Sequence, residues 1–86
     1  MYQVLYEKNV LKDLDKIPNR DVERIHVVFK TLSSNPFPQG SKKLSGKLNL
    51  YRIRQGCYRI VYTVAHKEKE IRIILVRHRK EAYRYL

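Results

Sequence analysis

Two helical patterns meet at Pro18. Ahead of it, Val10, Leu11, Leu14 and Ile17 fall on one stripe of a helix, with Lys12, Asp13, Asp15 and Lys16 turned to water. Proline donates no N–H and biases the residue before it away from helical geometry, so the first helix ends there. Beyond it, Val22, Ile25, Phe29 and Leu32 again recur at helical spacing. Asn19 is the expected N-cap, and Asp21 and Glu23 place negative charge in the first turn. A junction this short makes the two helices an antiparallel hairpin. The second helix runs out into the Pro-, Ser- and Gly-containing stretch 33–40.

The rest of the chain changes period. Residues 2–6 form a short, mostly apolar run that reads as a first strand. Residues 48–54 alternate, with Leu48, Leu50, Arg52 and Arg54 on one side and Asn49, Tyr51 and Ile53 on the other. Gln55-Gly56 is a turn signal. In the strand 57–64, Tyr58, Ile60, Tyr62 and Val64 share one face, and Arg59, Val61 and Thr63 the other. A polar turn at 66–70 leads to a last strand, 71–77, apolar enough to be covered on both faces. The tail 79–86 suits a short helix or an arm. The expected fold is α+β: an N-terminal strand, then an antiparallel helical hairpin packed on one face of a mainly antiparallel sheet of about four strands, then the tail. With 86 residues and no repeat or linker, the chain 1–86 reads as a single domain.

Charge narrows the function. The net charge is +11, and it is uneven: residues 1–43 carry 8 basic and 5 acidic groups, residues 44–86 carry 11 and 3. Arginines concentrate in the second half, and their forked donors suit planar phosphate oxygens. The expected partner is a polyanion, either nucleic acid or an acidic protein. The 43% hydrophobic content is too high for a disordered basic tail. Cys57 is the one cysteine, which excludes an intrachain disulfide and fits a reducing cytoplasm. The N-terminus does not read as a signal peptide, and the longest apolar stretches, 58–64 and 71–76, fall short of the ~20 residues that span a bilayer.

His26, His66, His78 and Cys57 show no ligand spacing, so neither a metal nor another cofactor is expected. The three glycines are too far apart for a phosphate-cradling loop. The basic residues are more informative. Lys42, Lys43 and Lys47 flank the entry to the alternating strand, which carries Arg52 and Arg54 on one face. Arg59 follows across a tight turn, and Arg77, His78, Arg79 and Lys80 close the last strand. No carboxylate alternates with these cations between Leu44 and Lys67. Tyr83 and Tyr85 lie among the tail cations, a setting that suits stacking on unpaired bases or anchoring of the tail to the sheet.

Four segments together resemble the RelE/ParE toxin superfamily of bacterial and archaeal toxin–antitoxin systems. They are Leu11-Lys12-Asp13-Leu14-Asp15-Lys16-Ile17-Pro18, Lys43-Leu44-Ser45-Gly46 running into Leu50-Tyr51-Arg52-Ile53-Arg54, Gly56-Cys57-Tyr58-Arg59-Ile60-Val61-Tyr62, and His78-Arg79-Lys80-Glu81-Ala82-Tyr83. The resemblance covers essentially the whole chain. It implies the toxin of a type II system: a ribosome-dependent endoribonuclease that cleaves mRNA in the A site. The 2′-hydroxyl attacks the adjacent phosphate, so no metal is called for. Three tasks then need residues: accepting the hydroxyl proton, stabilising the phosphorane and protonating the leaving oxygen.

By position, the resemblance matches Arg52 and Arg54 to the basic pair on the family's second strand, Arg59 to the arginine that grips the phosphate, and Arg79 to the C-terminal arginine that stabilises or protonates the leaving group. Tyr83 or Tyr85 becomes the residue that stacks on the mRNA base. Some members carry lysine at the positions of Arg52 and Arg54; arginine holds its proton, so a general-base role does not suit this pair. Related branches use His or Glu, which makes His78 the nearest candidate, with Glu81 the one carboxylate nearby. Lys42, Lys43, Lys47, Arg77, Lys80 and Tyr85 are the expected RNA-binding set. Lys8, Lys12, Lys16 and Lys30 suit ribosomal RNA or simply a solvated helix face. The implied partners are the ribosome, mRNA and an acidic RelB-like antitoxin forming a hetero-oligomer, with no membrane. Two other readings stay open: a ParE-like inhibitor that binds DNA gyrase without nuclease chemistry, and a plain basic RNA-binding module.

Overall fold

In the computed structural model the structure describes residues 1–44 and 49–82. The elements run β1 (Gln3–Tyr6), α1 (Lys8–Asp15), α2 (Asn19–Ser34), β2 (Lys42–Lys43), β3 (Leu50–Gln55), β4 (Tyr58–Ala65), β5 (Glu70–His78) and α3 (Arg79–Ala82). The α+β layout of strand, two helices, antiparallel strands and short C-terminal helix is the one expected. A fifth strand joins the sheet because Lys42 and Lys43 pair with Arg52 and Tyr51. The sheet order is β1-β5-β4-β3-β2, antiparallel except for β1, which lies parallel to β5.

The hairpin between β3 and β4 turns through two residues, Gly56 and Cys57. Gly56 has φ of +60°, the left-handed conformation a primed turn wants at its first central position. The resulting register sets the faces of both strands. Ile53, Ile60, Tyr62 and Val64 then face the helices, where they meet Ile25, Phe29 and Leu32 of α2 in the core. Burying each large side chain contributes about 1.5–3 kcal/mol.

Tyr62, with no exposed surface, donates its hydroxyl to the Pro36 carbonyl at 2.8 Å. Burial pushes its pKa up from 10.0; a hydrogen bond with Ser41 opposes that and the nearby Tyr51 adds to it. An aromatic chain continues outward from Tyr62 through Tyr51 and Phe37 to His66 and Tyr2.

α1 departs from the expected stripe. Leu11 is 64% exposed, whereas Asp13, expected in water, is only 7% exposed. The reason lies at the sheet edge. β1 pairs with β5 only from Glu70 to Ile73. Past that point α1 lies against β5 and supplies side chains where a strand would supply backbone. Asn9 Nδ2 donates to the Ile74 carbonyl at 3.0 Å, and the Val76 N–H donates to Asp13 Oδ2 at 3.1 Å. Buried backbone groups need partners, and a leucine could not serve.

α2 also begins differently from expectation. Asn19 is its first residue, Pro18 holds the cap position, and no side chain caps the end. His26, which the periodicity set among core positions, is exposed. Among the described residues no helix is long and apolar enough to cross a membrane.

Candidate functional site

The face of the sheet away from the helices is built by the alternate residues. Leu50, Arg52 and Arg54 of β3 sit opposite Thr63, Val61 and Arg59 of β4. On β5, Arg59 is opposite Arg77 and Val61 opposite Leu75. Three arginines, Arg54, Arg59 and Arg77, therefore form one row across three neighbouring strands. With strands about 4.8 Å apart, like charges in register repel one another. Lys42 and Arg52 form part of the next row with the buried Val61 and Leu75.

Arg77 reaches this row through an irregularity. Strict alternation from the buried Ile71 would put Ile73, Leu75 and Arg77 all under the helices. Instead Val61 pairs with Leu75 and Tyr62 with Ile73, so β5 carries an extra residue, Ile74. This bulge reverses the alternation. Ile73 and Val76 then both reach the core, and Leu75 and Arg77 move to the arginine face.

Each member of the row is held differently. Arg54 is exposed. Arg59 is only 6% exposed; its Nη1 donates to the carbonyls of Tyr58 at 3.1 Å and Gly56 at 3.4 Å, within its own hairpin turn. Arg77 Nε donates to Asp13 Oδ1 at 2.9 Å, a contact between residues 64 apart in sequence. Arg52 Nη1 donates to the Gly40 carbonyl at 3.4 Å. Arg79 is exposed at the start of α3, and its N–H donates to the Cys57 carbonyl at 2.7 Å, which ties α3 to the β3–β4 turn.

The structure thus brings together Arg52, Arg54, Arg59, Arg77 and Lys42, with Arg79 tethered at the turn end. It separates others. Lys43 pairs with Tyr51 and takes the helix-side parity. His78 pairs with Tyr58, whose ring it meets edge-on at 5.8 Å, so it lies on the face opposite Arg59. Its Nδ1 accepts the Lys80 N–H at 3.3 Å, a local contact within α3's first turn. His78, the nearest candidate base by resemblance, thus takes the strand parity opposite to Arg59, because the bulge gives Arg77 one parity and its neighbour the other. Lys80 and Glu81 are exposed on α3. Lys47, Tyr83 and Tyr85 lie outside the described residues.

Sequence reasoning missed Asp13. The contact with Arg77 joins distant segments, and nothing local marks one aspartate of Lys12-Asp13-Leu14-Asp15 as the buried one. Among the described residues no three His, Cys, Asp or Glu side chains gather as metal ligands would. Chemically, the arginine face offers fixed positive charge to an anion, with Arg54 exposed and Arg52, Arg59 and Arg77 each held by a protein oxygen. It offers no described histidine or carboxylate at the row's centre.

Comparison with known proteins identifies the family. Residues 4–83 match the family described as ParE toxin of type II toxin-antitoxin system, parDE. Toxin RelE3 of Methanocaldococcus jannaschii is 36% identical over 87 residues, covering 96% of this chain and 97% of that protein. The fold is similar to that in the archaeal RelE–RelB complex from Pyrococcus horikoshii OT3, with TM-score 0.83, 35% identity and coverage of 91% of this chain and 94% of that one. It is also similar to the RelB–RelE antitoxin–toxin complex from Methanococcus jannaschii, with TM-score 0.79, 32% identity and coverage of 95% and 98%.

Proposed function

Because the chain belongs to the RelE/ParE superfamily of type II toxin–antitoxin toxins, we propose that it is an endoribonuclease that cleaves mRNA on the ribosome. The observation that carries this reading is the row Arg54–Arg59–Arg77 with Arg52 beside it. A gyrase-binding role makes no demand for a phosphate-shaped cation set on one sheet face.

In the proposed reaction the mRNA 2′-hydroxyl attacks its own 3′-phosphate and the 5′-oxygen leaves. Arg52, Arg54 and Arg59 stabilise the charge that builds on the phosphorane, an effect worth ~10²–10³ in rate for one well-placed donor. Arg79, tethered beside the turn, stabilises the leaving oxygen. With His78 on the other face, the hydroxyl proton passes to solvent water, water returns a proton to the leaving 5′-oxygen, and the arginines contribute chiefly electrostatically. Lys42 and Lys80 add to the RNA-binding charge; Tyr83 or Tyr85 stacks on the base, and Lys47 adds to the RNA-binding set. The relatives crystallised with RelB support an antitoxin as the protein partner. An acidic one would be drawn by the +11 charge.

Primer extension on mRNA from a translating extract tests this, run beside an Arg59→Ala/Arg79→Ala double variant. The expected result is cuts inside codons that require ribosomes and fall at least about 100-fold in the variant. Growth arrest on expression with no cuts would discard the nuclease and favour gyrase.

A further inference from the structure

The arginine row contains a contact that RNA chemistry alone does not call for. Asp13 is a buried carboxylate placed against a cation meant for phosphate. A carboxylate there weakens the field that draws RNA in, so its benefit has to lie elsewhere. Its two oxygens divide the work: Oδ2 accepts the Val76 N–H at 3.1 Å and Oδ1 accepts Arg77 Nε at 2.9 Å. The first bond fixes the carboxylate to the backbone of β5. The second fixes the guanidinium of the next residue on that strand. Long arginine side chains sample many rotamers, and a charge-assisted bond to an anchored acceptor removes that freedom.

We infer that Asp13 is a positioning residue of the phosphate site, holding the Arg77 guanidinium at the α1 edge of the row that Arg59 and Arg54 continue across the sheet. This rests on the proposed reading of the arginine face as the cleavage site. Arg77 then acts on the phosphate beside Arg59. Asp13 acts only through Arg77, and α1 becomes part of the active site without touching RNA.

The role has a signature that a stabilising contact lacks. Asp13→Asn keeps an acceptor for the Val76 N–H but loses the charge that holds Arg77. Removing a negative charge also strengthens the attraction for RNA. Cleavage and binding should therefore move apart. The cleavage rate in saturating ribosome complexes falls about tenfold or more, while affinity for a single-stranded RNA oligonucleotide at low salt stays equal or tightens.

Arg77→Ala, which leaves the Asp13–Val76 bond in place, provides the second arm. It should lose as much rate as Asp13→Asn, and the double variant should lose no more than either alone. Thermal melting of all four proteins accompanies the kinetics. Rate and affinity falling together in step with the melting temperature would overturn the inference, as would additive losses in the double variant. Unchanged cleavage in Asp13→Asn beside an active wild type overturns it alone. A wild type that neither cuts mRNA nor binds the oligonucleotide overturns the nuclease reading, and this inference with it.

Discussion

One sheet presents two faces made from alternate residues of the same strands, and the faces answer to different forces. Under the helices, Ile53, Ile60, Tyr62 and Val64 interdigitate with α2. On the other side, Arg52, Arg54 and Arg59 occupy the intervening positions. The first set lowers the free energy of the folded chain. The second raises it, because like charges share a row. The contrast teaches how packing and charge are divided between the faces: the packed face can support a charged face that would not hold itself together.

Breaking the packed face should give the largest effect. Ile60 is fully buried at the centre of the sheet. Ile60→Ala should cost about 3–5 kcal/mol in urea unfolding, a large share of the total for a domain this small. Tyr62→Phe should be milder. Losing the hydroxyl bond to Pro36 costs about 1 kcal/mol near neutral pH.

The same variant sharpens the comparison in alkali. The folded pKa of Tyr62 lies above the ordinary 10.0, so the unfolded chain loses this proton first. Its contribution is intact below pH 10 and drains away as pH rises through the folded value. Melting curves of wild type should therefore fall more steeply above pH 10 than those of Tyr62→Phe.

On the arginine face the smallest structural change is expected. Arg54→Ala should leave stability within about 0.5 kcal/mol. It should still reduce the slope of log affinity for single-stranded RNA against log salt by about 0.7, measured by fluorescence anisotropy. A stability loss as large as that of Ile60→Ala would mean the two faces are not separable in this way.

Much of this organisation can be read from residue order. Pro18 divides the helices, and strict alternation through 50–64 assigns both faces of β3 and β4. Gly56 marks their turn. Alternation fails on β5, where Ile73, Ile74, Leu75 and Val76 are all apolar and carry no mark of where the bulge falls. The placement of Arg77 and His78 therefore depends on tertiary pairing. α1 fails for a related reason. Helical periodicity weighs Leu11 as a core residue, but the surface it meets is a strand edge with open backbone groups, and polar Asn9 and Asp13 satisfy it better. The arginines were legible as a cluster because no acids interrupt them locally; the acid that meets them comes from 64 residues away.

The parallel pairing of β1 with β5 has a consequence for how the protein is made. Val4 aligns with Ile71, and Asp13 waits for Arg77. Synthesis is vectorial, so the edge strand emerges long before the strand it needs, and contacts of such wide separation form late. A nascent chain, or one broken off before residue 70, has Arg54, Arg59 and Asp13 but not the third arginine. The finished arginine row therefore exists only once the last strand has been made and paired: a fragment that ends before residue 70 does not carry it.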